Sequence, residues 1–277
     1  MQPDILFQRL ARAGTVLALI VVVVGAWVRL TDAGLGCPDW PGCYGRLIVP
    51  AGEIEEAQAA IAFPERPLEA GKAWREMIHR YLASTLALLC VALAVIAWRK
   101  RDNPGQPVKL PFILLGVVIF QALLGMWTVT LLLKPVIVVA HLLGGLATLS
   151  ILSWLSRWRS STAGAVTASG GLALVALVVL GAQISLGGWT SANYAALACP
   201  DFPTCQTRWW PPVADFREGF VVWRGLGIDY EGGVLDNPAR VAIHFTHRLG
   251  AIVAAVVIGL LGLQLARNSA MRLDRGS

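Results

Sequence analysis

Charge-free apolar stretches recur along the chain at residues 13–28, 81–98, 110–133, 135–156, about 168–190 and 249–266. A membrane-spanning helix needs about 20 apolar residues, or about 30 Å at 1.5 Å per residue. The first run is short, but Arg12 and Arg29 can snorkel at its ends. Polar, largely uncharged residues carry the last run back to Val241, across His244, His247 and Arg248. The pattern predicts an all-α, polytopic membrane helical bundle of six transmembrane helices. Two long polar segments, 31–75 and 190–240, separate the runs. Within the first, GEIEEAQAAIAF (52–63) reads as a short amphipathic helix ended by Pro64. VADFREGFVVWRGLG is its expected counterpart in the second. Either segment would cap a site from outside or rest on the membrane surface.

Composition agrees with this reading. The chain is 56% hydrophobic and 14% charged, with a mean hydropathy of +0.63, which excludes an ordinary soluble domain. Its net charge of +6 is an orientation signal, not a nucleic-acid footprint. Residues 1–12, 99–109, 157–160 and 267–277 hold eleven basic and three acidic side chains. The two long loops hold eight basic and thirteen acidic. By the positive-inside rule both termini are expected in the cytoplasm and the long loops outside, in a bacterial inner membrane. No small-residue cleavage site follows the first run, so it reads as a retained helix.

The outer loops repeat. GAWVRLTDAGLGCPDWPGC, from Gly25, aligns without gaps on GGWTSANYAALACPDFPTC, from Gly187. The following helices open with EMIHRYLAS and HFTHRLGA, so His79-Arg80 matches His247-Arg248 and Glu76 matches His244. The third and fifth helices end QALLGMW and QISLGGW, so three helices close with Gly-x-Trp. Gly permits close approach and Trp suits the interface belt. The expected organisation is a four-helix half, 1–160, and an incomplete second copy, 161–277, as parallel repeats. By the logic of the repeat, about two further helices are missing after Ser277.

The chain has four histidines, His79, His141, His244 and His247, each in or beside an apolar run. Intramembrane ionisable residues are functional candidates. If the second helix starts near Trp74 and Pro135 opens the fourth, His79 and His141 lie about 8 and 9 Å below one face. Two imidazoles at matched depth suit the axial positions of one haem. Gly144, Gly145, Ala83 and Ser84 beside them leave room for a ring. Zinc would want more ligands nearby. The plainer alternative for each histidine is a helix–helix hydrogen bond. Glu76 lies one turn outward from His79, on the same face, where a carboxylate can orient a ligand or take a proton. Arg80 and Arg248 are candidates for haem propionates, or snorkel.

At these residues the chain resembles the haem A synthase family. The resemblance rests on Arg29-Leu30-Thr31 with Gly34-Leu35, the Cys37/Cys43 loop, Glu76-x-x-His79-Arg80, His141-Leu142-Leu143-Gly144-Gly145, and the second loop with His247-Arg248. It implies oxidation of the C8 methyl of haem O to the formyl of haem A, for cytochrome oxidase assembly. The haem-dependent membrane oxidoreductase so implied would insert oxygen twice at one methyl, and the resulting geminal diol would lose water. Carried over by position, His79 and His141 ligate the substrate haem iron, Glu76 is the catalytic carboxylate, and Cys37/Cys43 is the functional pair. His247 is one ligand of a haem b whose second ligand lies on an eighth helix. Haem O, membrane lipid, a haem O synthase, an electron donor and a homo-oligomeric partner are the implied associates. Two other readings are a bis-His membrane electron-transfer protein and a truncated, non-catalytic haem carrier.

The cysteine loops admit three readings: a metal knuckle, a redox pair and a staple. A knuckle would need four ligands, and neither outer loop contains a histidine. Disulfides Cys37–Cys43 and Cys199–Cys205 fit an oxidising compartment and the repeat. Loops this short gain modest stability from closure. The expectation is a reducible first pair beside Glu76 and His79, and a more structural second pair. Cys90, mid-helix, reads as a small buried hydrophobe.

Overall fold

A computed structural model describes residues 3–158 and 170–274, with side chains to 268. Its elements are helical: α1 (Ile5–Leu30), α2 (Glu53–Ala62), α3 (Ala70–Arg99), α4 (Lys109–Thr130), α5 (Pro135–Ser156), α6 (Gly170–Ala192), α7 (Phe216–Gly219) and α8 (Asn237–Asp274). Among the described residues six of these, all but α2 and α7, are long and apolar enough to cross a membrane. The chain is a multi-pass membrane protein.

Local chemistry sets the helix ends. The Asp4 carboxylate accepts from the N–H groups of Leu6 (2.9 Å) and Phe7 (3.2 Å), capping α1. Pro135 opens α5, where its missing N–H costs nothing. Asp236 accepts from the Ala239 N–H at 3.1 Å at the start of α8. The acidic first turn of α2, Glu53, Glu55 and Glu56, suits the positive end of the helix dipole, and Pro64 follows its end. Helix α3 starts four residues earlier than expected, at Ala70 instead of Trp74.

The chain forms two compact units, Met1–Ser161 with Gly225–Glu231, and Thr162–Arg224 with Gly232–Ser277. The expected half boundary at 160/161 lies outside the described residues. In the first unit, α1 packs on α3 and α5, and α4 packs on α3 and α5. Helices α3 and α5 therefore face each other across a four-helix bundle. One end of the bundle is filled by Phe7, Ala11, Leu86, Leu93, Leu114, Leu152 and Leu155, with Cys90 buried among them.

The segment 225–231 belongs to this unit although it comes from the second long loop. Lys134 Nζ donates to the Gly225 carbonyl (2.6 Å) and the Tyr230 N–H to the Leu132 carbonyl (3.1 Å). Arg66 pairs with Glu231 at 2.6 Å and with Asp229. No periodicity signals this segment, because its anchors are single residues far apart in sequence. In the second unit α8 packs on α6 and α7.

Candidate haem site

His79 projects from α3 and His141 from α5, the diagonal pair of the bundle. The flanking diagonal supplies a glycine for each ring. A Cβ placed on Gly25 of α1 would lie 2.9 Å from His79 Cε1. One on Gly125 of α4 would lie 3.4 Å from His141 Cε1. The glycines of Gly-x-Trp thus admit an imidazole, where the sequence suggested a helix backbone. Nδ1 of each imidazole is buried and has no partner of good geometry, although the backbones of Val21 and Gln121 lie beside the His79 and His141 rings. Backbone carbonyls at that place suit the outer N–H of a ligating imidazole. Two buried imidazoles from opposed helices are the side chains that would hold a haem iron.

Gly25→Ala tests this seat. The added methyl would push the His79 ring off its position. Retention of added haem is expected to fall by about tenfold, as changes to ligand-orienting groups do. Soret absorbance per chain measures it, and an unchanged value would show that the ring has slack.

One expectation needs correction. Gly144 and Gly145 do not leave room for a ring beside His141. Gln121 of α4 fills that space, with its Cδ 2.8 Å from where a Gly144 Cβ would stand. Its Nε2 donates to the His141 carbonyl at 2.8 Å, and its buried Oε1 has no partner. An open cleft of about 410 Å³ lies instead beside the first cysteine loop, lined by Leu35, Pro38, Phe63, Pro64, Val129 and Leu132 among others.

Glu76 is 5% exposed, and both its oxygens are occupied. Oε2 accepts from the Cys37 N–H at 2.8 Å, and Oε1 accepts from Arg80 at 2.5 Å. Arg80 also donates to the carbonyls of Asp39 (2.9 Å), Pro41 (3.2 Å) and Gly42. The guanidinium expected to bind a propionate is therefore engaged by its own loop and by Glu76. Glu76 and Arg80 together fasten the loop onto the helix that carries His79.

The loop is closed by the Cys37–Cys43 disulfide. Asp39 accepts from the N–H groups of Tyr44 (2.6 Å) and Gly45 (2.8 Å), and Cys43 pairs with Arg46. Burial raises the Tyr44 phenol above its ordinary pKa, so it stays neutral and donates to the carbonyls of Arg66 and Pro67. Cys37 and Cys43 are both 0% exposed. Thiol exchange requires access to a sulfur, so this bond reacts only if the loop lifts.

The second unit repeats the arrangement with one substitution. Cys199 bonds Cys205, and Cys205 pairs with Arg208. Asp201 accepts from the Thr204 hydroxyl and the Thr207 N–H; the Thr204 hydroxyl leads in holding its carboxyl below the usual range. Arg248 donates to the carbonyls of Asp201 (2.5 Å), Thr204 (2.8 Å) and Cys199 (2.8 Å). His244 takes the place of Glu76: its Nδ1 lies 3.1 Å from the Cys199 amide nitrogen and its Nε2 3.2 Å from Arg248 Nε, and a neutral ring accepts from only one of the two. The ring thus meets the loop through Cys199 and its own helix through Arg248, with one nitrogen accepting and the other carrying the proton. His247 rests on Gly187, 3.2 Å from a Cβ placed there. Gln183 Nε2 lies 3.0 Å from its Nδ1.

Gln121 and Gln183 were not singled out by the sequence reading. The signal was present: each stands four residues before the glycine of a Gly-x-Trp. In the first copy that place is Val21, which has no amide to offer.

Comparison with known proteins agrees with this constellation. The chain is 45% identical over 261 residues to the haem A synthase of Shewanella oneidensis, covering 92% of this chain and 78% of that protein. It is 29% identical over 285 residues to the haem A synthase of Sphingopyxis alaskensis, covering 93% of this chain and 75% of the relative. It is 28% identical over 279 residues to that of Caulobacter vibrioides, covering 92% and 76%. Residues 8–277 match the family model COX15-CtaA, described as cytochrome oxidase assembly protein, and the chain belongs to that family.

Proposed function

We propose that this chain oxidises haem O to haem A for cytochrome oxidase, with His79 and His141 gripping the substrate haem. The observation that carries the reading is the pair of buried imidazoles on opposed helices, each seated on a glycine of a neighbouring helix. The chain's similarity to the haem A synthases of Shewanella oneidensis and Sphingopyxis alaskensis supports it. Converting a methyl to a formyl by two oxygen insertions consumes two O₂, four electrons and four protons and releases three waters. The bound haem supplies the redox chemistry. The protein holds the ring in one orientation, keeps bulk water out with apolar helices, and places Glu76 one turn outward from His79. The electrons come from a separate donor, since the sequence carries no flavin or nicotinamide fingerprint.

Glu76 and Arg80 hold the cysteine loop to the helix that carries His79. The cytoplasmic placement of both termini, the outer placement of the loops, and delivery of haem O by its synthase belong to the same proposal. In the second unit, among the described residues, His247 is the one candidate iron ligand on α8, because His244 is committed to its loop.

The test is expression of the chain beside a source of haem O, with haem extracts resolved by chromatography. Haem A, or its hydroxylated precursor, is expected. An electron-transfer protein with the same two histidines would return haem O unchanged, and that result would sink the proposal.

A further inference from the structure

We propose that Gln183 controls which ring nitrogen of His247 is open to iron, holding this histidine closed in the haem-free chain. This rests on the reading of His247 as a haem ligand. The Gln183 amide nitrogen contacts two atoms, His247 Nδ1 at 3.0 Å and the His247 carbonyl at 3.1 Å. A carbonyl oxygen only accepts, so the amide end facing it is the NH₂ group. The same group then donates its second hydrogen to Nδ1. Nδ1 must present its lone pair, and the proton of the neutral ring sits on Nε2. That tautomer leaves Nε2 without a lone pair in the ring plane, closed to a metal.

Opening is a rotation and a proton exchange. Gln183 Oε1 is buried and has no partner, so no second bond holds that end of the amide. Turning the amide gives up its bond to the His247 carbonyl and brings Oε1 to Nδ1, with the side chain drawn away from that carbonyl so that two acceptors do not meet. Nδ1 would then take a proton from water and donate it to Oε1, and Nε2 would release its proton to water, leaving a lone pair with which to hold an iron. One proton is gained and one lost, and no electrons move. Ligating histidines ordinarily donate their outer N–H in this way, which raises their basicity toward the metal. The first unit lacks the device. The Gln121 side chain reaches the His141 carbonyl but not its ring, which has only the Gln121 backbone near it, and Val21, with no side-chain amide, stands at the equivalent place for His79. Gly250 makes room for Gln183 as Gly144 does for Gln121.

The experiment uses the full chain in detergent with ¹⁵N-labelled histidine. Four ring spin systems are present and are assigned by single replacement. In haem-free wild type, His247 is expected as the Nε2–H form. The carboxylate introduced by Gln183→Glu can only accept when ionised, and this variant is expected to invert the ring to Nδ1–H. Gln183→Leu is expected to give a mixture, with His141 unchanged in both variants. A wild-type His247 in the Nδ1–H form overturns the proposal even if neither variant folds, as do identical His247 spectra in all three chains. A second arm titrates ferric haem, with His247→Ala as reference. Gln183→Glu is expected to bind at least about tenfold faster than wild type at the His247-dependent site. If the tautomers follow Gln183 but no His247-dependent haem binding exists, the tautomer control stands and the haem role of His247 falls.

Discussion

Replacing His79 or His141 with alanine is expected to lower haem A formation at least about a hundredfold. The two side chains come from α3 and α5, which do not pack on each other; the bundle holds them apart at a set distance. Losing one removes a face of the grip, and a substrate displaced by about 1 Å already costs about 10² in rate. The fold should survive. Each ring rests on a glycine and makes little of the apolar packing, which is concentrated at the other end of the bundle around Leu93, Leu114 and Leu152. Each variant should therefore be expressed, and should bind haem with the spectrum of a single imidazole ligand. Wild-type haem A yield from either variant would refute the assignment. Loss of expression in both would move the histidines into the fold's own support.

Glu76 separates two roles by two substitutions. Glu76→Leu removes the acceptor of both the Cys37 N–H and Arg80, leaving a guanidinium that is 12% exposed without its anion. Breaking a buried pair in this way costs about 3–5 kcal/mol. The loop is expected to lift, and a hydrophilic reductant should cleave Cys37–Cys43 at least about tenfold faster than in wild type. Glu76→Gln keeps an oxygen for Cys37 and a weaker partner for Arg80, so the disulfide should stay protected. If the carboxylate acts in the oxidation, Glu76→Gln loses haem A formation while its loop is closed. If the carboxylate is only a fastening, Glu76→Gln retains most activity, and the catalytic reading is withdrawn. Wild-type protection of the disulfide in Glu76→Leu would contradict the fastening.

The unit-two copy shows why His244 is a poor stand-in for a second ligand. It stands opposite Glu76 and meets the same two partners, a loop N–H and an arginine. A neutral imidazole has one acceptor nitrogen, and once that is engaged by either partner it has none left for a metal. The same comparison changes the arginines. Arg80 and Arg248 read in sequence as anion binders, because a guanidinium beside a histidine suits a propionate. Their loops bend back over them and present three carbonyls each, a feature that no residue spacing announces.

Six apolar runs, the cysteine loops and the three Gly-x-Trp endings were legible in the chain, because spanning a membrane imposes length and composition residue by residue. So was the short helix at 52–63, by its acidic start and its following proline. Pairings across the bundle were not legible. Which helices face each other, which glycine receives which ring, and which carbonyls Arg80 gathers depend on side chains tens of residues apart. Depth counted along a helix could place His79 and His141 at one level, but a shift of four residues in the start of α3 shows how weakly such counting binds. Six spans, the repeated loops and the residue types of a haem grip all follow from the order of residues along the chain. That α3 and α5 stand opposed, that Gln121 takes the space beside His141, and that Glu76 and Arg80 are spent on holding a loop do not, because each is settled by contacts between helices and not along one.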